Sequence, residues 1–363
     1  MKVAEVPQNP HGDGRYIPIL DGWRAVAILL VVVFHGLFNT DVTGSRILTQ
    51  AANLSGRLGA LGVLVFFCIS GYLITKRLRS ESAQTGKFSM RAFYVKRVCR
   101  ILPPATAYLL VIVGLFFCGL ISLNSADWAA PLFLTNYVAG SSWYTGHFWS
   151  LSLEEHFYLF WPACILLAGW RRAMWIGIGL VVAVGVWRPW ELRHVASTVH
   201  ALRHTDMRLD YIMLGCVCAL ASEFYPAVDR GLKRFGSGAG LLLLFVVLVA
   251  TTFPFRVDLR SVQALVLALM VCGSSMANAR IPTLLFANRF MLFIGRISYS
   301  LYIWQQLVLG PSSSALVRSP LALPLKLGLA VAVAYLSYRF VEKPFIRYGR
   351  RWLARDPMVA KGA

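Results

Sequence analysis

The chain has 363 residues, of which 57% are hydrophobic and only 14% charged, with a mean hydropathy of +0.61. That composition excludes a soluble globular domain and predicts an all-α, polytopic transmembrane helical bundle. The net charge of +20 does not make it a nucleic-acid binder: with a cytoplasmic N-terminus, about 24 Lys and Arg fall on the inner side of the membrane and about 9 on the outer, which is the positive-inside asymmetry.

Apolar runs of about 18 to 22 residues predict about ten helices. They cover 18–38, 58–75, 102–121, 148–169, 173–190, 208–225, 238–255, 261–279, 290–309 and 321–341. The transmembrane domain is expected over 18–345, between a cytoplasmic N-terminal tail (1–17) and a basic cytoplasmic C-terminal tail (346–363). Polar residues 1–15 precede the first span and no small-residue cleavage site follows it, so no cleavable signal peptide is expected. The seven cysteines lie in spans or at their inner edge, without a CxxC pair or a Cys/His cluster. Neither a disulfide framework nor a metal site is predicted.

The first span runs Leu20-Asp21-Gly22-Trp23-Arg24, then ten almost wholly apolar residues, then His35. Eleven residues are close to three helical turns, so Arg24 and His35 share a face, about 16 Å apart along the axis. Ionisable groups inside a membrane are costly and usually face a protein interior or a wet cavity. The two read as the ends of one site. A plainer reading has Arg24 snorkelling, paired with Asp21, and His35 as an interfacial histidine.

The second span carries small residues at Gly62, Ser70 and Gly71, which suit close helix packing. Segment 76–100 is the densest basic stretch. Its last part places Arg97 and Arg100 three residues apart, below a helix start marked by Pro103 and Pro104. Two guanidiniums at a membrane entrance suit a phosphorylated ligand. The outer loop 122–147 has no Lys or Arg but holds Trp128, Tyr137, Trp143 and Tyr144. These suit an interfacial belt or, more weakly, sugar rings.

The fourth span opens His147-Phe148-Trp149-Ser150-Leu151-Ser152-Leu153-Glu154-Glu155-His156-Phe157-Tyr158. Glu154 and Tyr158 share a face one turn apart, and a carboxylate this deep is expected to be functional, as a partner of His35. Loop 191–207 holds scattered histidines without ligand spacing. Arg208 and Asp210 stand at the outer mouth of the sixth span, as an ion pair or as contacts to a polar acceptor. The seventh and eighth spans read as scaffold. Arg296, Ser298, Tyr299 and Tyr302 form a stripe too polar for lipid, and Pro344 is expected to stop the last helix.

Together these segments resemble the acyltransferase 3 family of integral-membrane acyltransferases. The carriers are Asp21-Gly22-Trp23-Arg24 with ten residues to His35, Phe66 to Tyr72, Arg97 to Pro103, and Trp149-Ser150-Leu151-Ser152-Leu153-Glu154 with Phe157-Tyr158. Arg208 to Gly215, Ile297 to Tyr302 and Glu342-Lys343-Pro344 complete them. The resemblance implies an acyl-CoA donor from the cytosol, an extracytoplasmic carbohydrate acceptor and an essential Arg and His on the first helix. No tightly bound cofactor is implied; acetyl-CoA or another acyl-CoA is a co-substrate. Two positions depart from the family pattern. Gln305 stands where many relatives have a histidine, whose role is lost or reassigned, and His156 stands where many have Gln. The hydrolase-like domain fused to some members is not found in the chain, so a stand-alone form is expected.

The expected chemistry is acyl transfer from a thioester to a hydroxyl, which needs a base and donors for the developing oxyanion. His35 is the candidate base or, alternatively, a covalent acyl carrier. Arg24 and Glu154 join it as catalytic candidates. Arg24, Arg97, Arg100, Ser298 and Tyr299 are assigned to the acyl-CoA donor, and Trp149, Tyr158, Arg208 and Asp210 to the acceptor. The partners expected are acyl-CoA, a carbohydrate and the lipid bilayer. A small-molecule or macrolide sugar is an alternative acceptor, and a transporter of a lipid-linked sugar is the alternative class.

Overall fold

The computed structural model describes residues 16–39, 46–252, 258–277, 279–310 and 322–355, with the backbone alone for 46–55. Nearly all of the predicted N-terminal tail, and residues 356–363 of the C-terminal one, lie outside the described residues. The principal helices are α1 (Pro18–Phe38), α2 (Arg46–Thr85), α3 (Met90–Phe117), α4 (Phe148–Ala168), α5 (Trp170–Glu191), α6 (Thr205–Phe224) and α7 (Pro226–Phe235). They continue as α8 (Gly238–Thr252), α9 (Arg260–Met276), α10 (Arg280–Phe286), α11 (Arg289–Val308), α12 (Leu323–Ser337) and α13 (Lys343–Arg355). There is no strand among the described residues.

Each of the ten predicted spans falls on a helix, and the chain is a multi-pass helical membrane protein. By length and composition alone, α1, the 56–85 part of α2, α3, α5 and the 323–355 run qualify to cross a bilayer, which makes five. The number is seven when the bent pairs α7–α8 and α9–α10 each count as one span. Helices α4, α6 and α11 have 21, 20 and 20 residues. At 1.5 Å per residue they reach across the hydrocarbon. They bury polar residues inside the bundle, which is why hydropathy alone passes over them.

The centre of the bundle is α1 and α2, whose apolar windows are 61% and 78% buried, against 28% or less for α3, α5 and the last run. Helix α2 packs on α1, α6 and α9, and α1 on α2 and α11. Small residues set these distances. A Cβ on Gly71 would stand 2.0 Å from the Ile212 carbonyl oxygen, and one on Gly215 2.3 Å from that of Cys68. The α2–α6 contact is therefore backbone to backbone at two reciprocal points.

Two sequence expectations are corrected. Helix α3 does not start at Pro103. It is capped by Ser89, whose hydroxyl accepts the Ala92 N–H at 3.1 Å, and runs through both prolines. Arg97 and Arg100 thus lie on the helix itself. Next to the prolines, the Ile101 carbonyl accepts from the Tyr299 hydroxyl at 2.7 Å. Nor does Pro344 stop the last helix. A π-helical turn at Tyr338–Glu342 leads into α13, and Pro344 falls in the first turn of α13. Much of the predicted basic tail is therefore helix, packed on α3 with Gly349 against Cys99 and Leu353 buried.

Candidate active site

Helices α1 and α4 carry the candidate residues in opposite directions. On α4 the polar groups His147 (its N-cap), Ser150, Glu154 and Tyr158 recur every three or four residues, on one face. His147 to Tyr158 is eleven residues, the same interval as Arg24 to His35. The ends match. Arg24 and Tyr158 interact electrostatically at one end, as do His35 and His147 at the other. Because α1 makes its close contacts with α2 and α11, these side chains occupy the space between α1 and α4.

At the His35 end, Nδ1 of His35 lies 2.8 Å from Oε1 of Gln305. A carbonyl oxygen can only accept, so Nδ1 carries the proton and Nε2 keeps its lone pair. The position that departs from the family pattern is thus the partner of the imidazole. Glu154, expected in that role, is held elsewhere. Ser70 donates to its Oε1 at 2.9 Å and Tyr158 to its Oε2 at 2.9 Å. It lies midway along the stripe and feels Arg97 and Arg24 rather than the imidazole.

Above His35 sits a roof that sequence reasoning read only as aromatic. Trp143 meets the imidazole edge-on at 5.3 Å, stacks on Phe38 at 6.0 Å and donates to the Gln306 carbonyl at 2.8 Å. Its loop is organised by Asp127, which accepts the Asn124 and Ser142 N–H groups, each at 2.7 Å, and the Thr145 hydroxyl. With no Lys or Arg in the loop, this carboxylate is satisfied by neutral donors alone, and the only signal for it was that absence. Below the roof, Ser150 and Tyr302 hydroxyls lie 2.6 Å apart, and Tyr302 also donates to the His147 carbonyl at 3.0 Å.

At the opposite end a vestibule of about 1680 Å³ opens among α2, α3, α6 and α13. Its lining is strongly basic and includes Lys76, Arg79, Lys96, Arg97 and Arg100. The Arg97 guanidinium stands over the rings of Tyr158 (5.0 Å) and Phe93 (5.7 Å). Stacked in that way, it keeps its in-plane N–H donors free. The lining reaches Arg97 and Arg100 but not Arg24 or His35. Between that lining and His35 the polar stripe of α1 and α4 continues the line of candidate residues. Arg24 pairs with Asp21 at 2.8 Å, and Tyr16 donates to the other Asp21 oxygen at 2.9 Å, as the plainer reading of that arginine anticipated.

The remaining candidates are dispersed. Ser298 is buried, and Tyr299 donates to the α3 backbone. Trp149 lies edge-on to Phe67 at 6.0 Å. Arg208 donates to the Leu202 carbonyl at 2.9 Å. Asp210 is fully buried, not with Arg208 but in a forked pair with Arg188 (2.9 and 3.2 Å), which also reaches Ser261 at 2.7 Å. Arg188 went unnoticed in the sequence because it closes a span beside Pro189, where a snorkelling arginine is ordinary. Glu342, in the π-turn, was read only as part of the family pattern and given no role. It accepts from Ser300 at 2.8 Å and faces Arg100 and Arg24 electrostatically. π-turns often mark functional sites.

A family model described as an acyltransferase domain matches residues 17–339. The chain is 29% identical over 94% of its length to a Staphylococcus aureus (strain COL) protein whose name carries O-acetyltransferase as a provisional assignment. It is 28% identical over 94% of its length to the O-acetyltransferase OatA of Staphylococcus aureus (strain NCTC 8325). It is 26% identical over 92% of its length to the peptidoglycan O-acetyltransferase OatA of Listeria monocytogenes. The chain spans 59%, 59% and 56% of these three relatives. No solved structure matches it.

Proposed function

The chain belongs to the acyltransferase family whose domain model covers residues 17–339, and from that premise we propose that it moves an acyl group, acetyl foremost, from cytosolic acyl-CoA to a hydroxyl of an extracytoplasmic carbohydrate. The observation that carries this reading is the antiparallel pair of stripes. A basic vestibule lies at one end of α1 and α4, and a base with an oriented tautomer lies at the other.

In this reading both termini are cytoplasmic and the vestibule faces the donor. Arg97 and Arg100 fork onto the phosphates of CoA, with Glu342 and Glu154 holding the guanidinium cluster in place. The thin pantetheine arm follows the stripe past Arg24, Glu154 and Ser150, displacing packed side chains as it goes. At the far end, the acceptor oxygen attacks the thioester carbonyl carbon and the C–S bond breaks. Nε2 of His35 takes the hydroxyl proton and returns it to the leaving thiolate. Arg188 and Asp210 position α6 against α5 rather than touching substrate.

Protein purified in nanodiscs, given labelled acetyl-CoA and a soluble glycan, tests the reading by mass spectrometry of the glycan. Covalent acetyl on the glycan, dependent on His35, is expected. Passage of unmodified glycan across sealed vesicles, with no acetyl transfer, would instead favour a transporter.

A further inference from the structure

Around His35 lie buried polar atoms that the bundle leaves unsatisfied. Of the two ring nitrogens of His147 one lies toward the Ile303 carbonyl while the other has no hydrogen-bond partner, and neither Nε2 of Gln305 nor Oε1 of Gln306 has one. The three residues are 3%, 0% and 4% exposed. Buried polar groups are almost always paired, and a cluster of exceptions beside a base calls for a ligand. These atoms form one shell. Gln305 holds the imidazole through its oxygen, and His147 is the electrostatic neighbour of that imidazole. The ring of His147 lies 5.6 Å from that of Tyr302, one turn before Gln306 on α11. Trp143 caps the shell through the Gln306 carbonyl. Trp143 and Tyr144 also line a shallow depression of about 450 Å³ beside the roof.

We propose that His147, Gln305 and Gln306 are the acceptor subsite, and that it reads a pair of neighbouring hydroxyl groups on an uncharged ring. The inference rests on the transferase reading and deepens it. The donor set selects the chemistry. With its N–H turned to the Ile303 carbonyl, His147 offers only an acceptor, Gln305 Nε2 only donates, and Gln306 Oε1 only accepts. A carboxylate leaves Gln306 Oε1 unpaired, and an ammonium leaves Gln305 Nε2 unpaired. Two hydroxyls, each of which donates and accepts, satisfy all three atoms. The stacked Trp143 and Phe38 rings supply an apolar face for the ring carbons. This subsite replaces Tyr158 and Asp210, which the structure engages with Glu154 and Arg188, as the place where the acceptor is recognised.

The test uses the full chain in nanodiscs and, as probe, a β-1,4-linked glucose tetramer, whose rings each carry neighbouring 2- and 3-hydroxyls and no charge. Two readouts are taken: the acceptor KM with acetyl-CoA, and tetramer binding without donor, followed by Trp fluorescence. His147→Phe and Gln306→Leu preserve shape and remove the polar atoms. Each is expected to raise the acceptor KM and the Kd about tenfold, as loss of one or two buried hydrogen bonds does. The KM for acetyl-CoA is expected to stay put. Gln306→Glu, which keeps an accepting oxygen, is expected to retain binding within about threefold. If His147→Phe does not fold, the two Gln306 variants decide. Unchanged acceptor KM and Kd in Gln306→Leu overturn the subsite while leaving the transferase reading intact. Binding that is lost in the variants, with no transfer by the wild type, upholds the subsite and overturns the transferase reading. A wild-type chain that neither binds nor acetylates the tetramer overturns the subsite for this class of ring.

Discussion

In the proposed reaction, His35 and Gln305 together set the chemistry at the smallest scale. The bond from Nδ1 to Oε1 does for this imidazole what a carboxylate does elsewhere: it fixes which nitrogen holds the proton. His35→Ala is expected to lower the transfer rate about 10²- to 10⁴-fold, the range of a lost general base, with folded yield unchanged. Gln305→Leu is expected to cost about 10- to 100-fold in kcat, by analogy with the loss of an outer-shell orienting partner. Gln305→Glu, which keeps the accepting oxygen, is expected to recover most of it. Equal activity of the Leu and Glu variants would contradict the orienting role. At the donor end, Arg97→Lys keeps the charge but loses the fork and the stacking on Tyr158 and Phe93. The acyl-CoA KM is expected to rise roughly tenfold or more, as loss of a charge-assisted hydrogen bond implies, with kcat little changed. The spacing of Arg24 and His35 was legible in the sequence because helical periodicity is local. Their partners were not uniformly so. Asp21, three residues away, was foreseen, whereas Gln305 is 270 residues from His35 and only the fold brings the two together.

At the scale of elements, α4 matters most. Its polar face was visible in part, as Glu154 and Tyr158, but its length was not. His147 and Ser150 become part of the same line only once α11 lays Tyr302 against them. The prolines misled for a related reason. Pro103 and Pro104 read as a helix start, yet the capping Ser89 had already begun the helix, and the signal of a lone N-cap is weak beside two prolines. The roof loop is an element held by one carboxylate. Asp127→Ala leaves two backbone N–H groups and a hydroxyl without their acceptor. It is expected to destabilise the loop by about 2–3 kcal/mol, and to raise hydrogen exchange over 122–147 while exchange in α1 and α2 is unchanged. The α2–α6 contact is less forgiving. Gly71→Val drives a side chain into the Ile212 carbonyl, and a loss of at least about 1–3 kcal/mol is expected as a lower thermal midpoint in detergent.

For the whole molecule, the two ends differ in kind. One is a basic chamber suited to a polyanion, and the other an uncharged aromatic cap over a base. The composition told of a membrane bundle, readable without a structure, and the charge distribution predicts its orientation. How far the vestibule reaches was not readable, because it depends on which side chains fill the space between α1 and α4. The central claim is that an acyl group enters at Arg97 and leaves from His35, on opposite sides of the bilayer. The most direct measurement supplies labelled acetyl-CoA to one face only of sealed, oriented vesicles, with glycan acceptor on the other. Acetylated glycan is predicted when the donor is on the Arg97 side, none when the sides are exchanged, and none with His35→Ala in either arrangement. Equal product from both arrangements, or undiminished product from the His35 variant, would contradict the account.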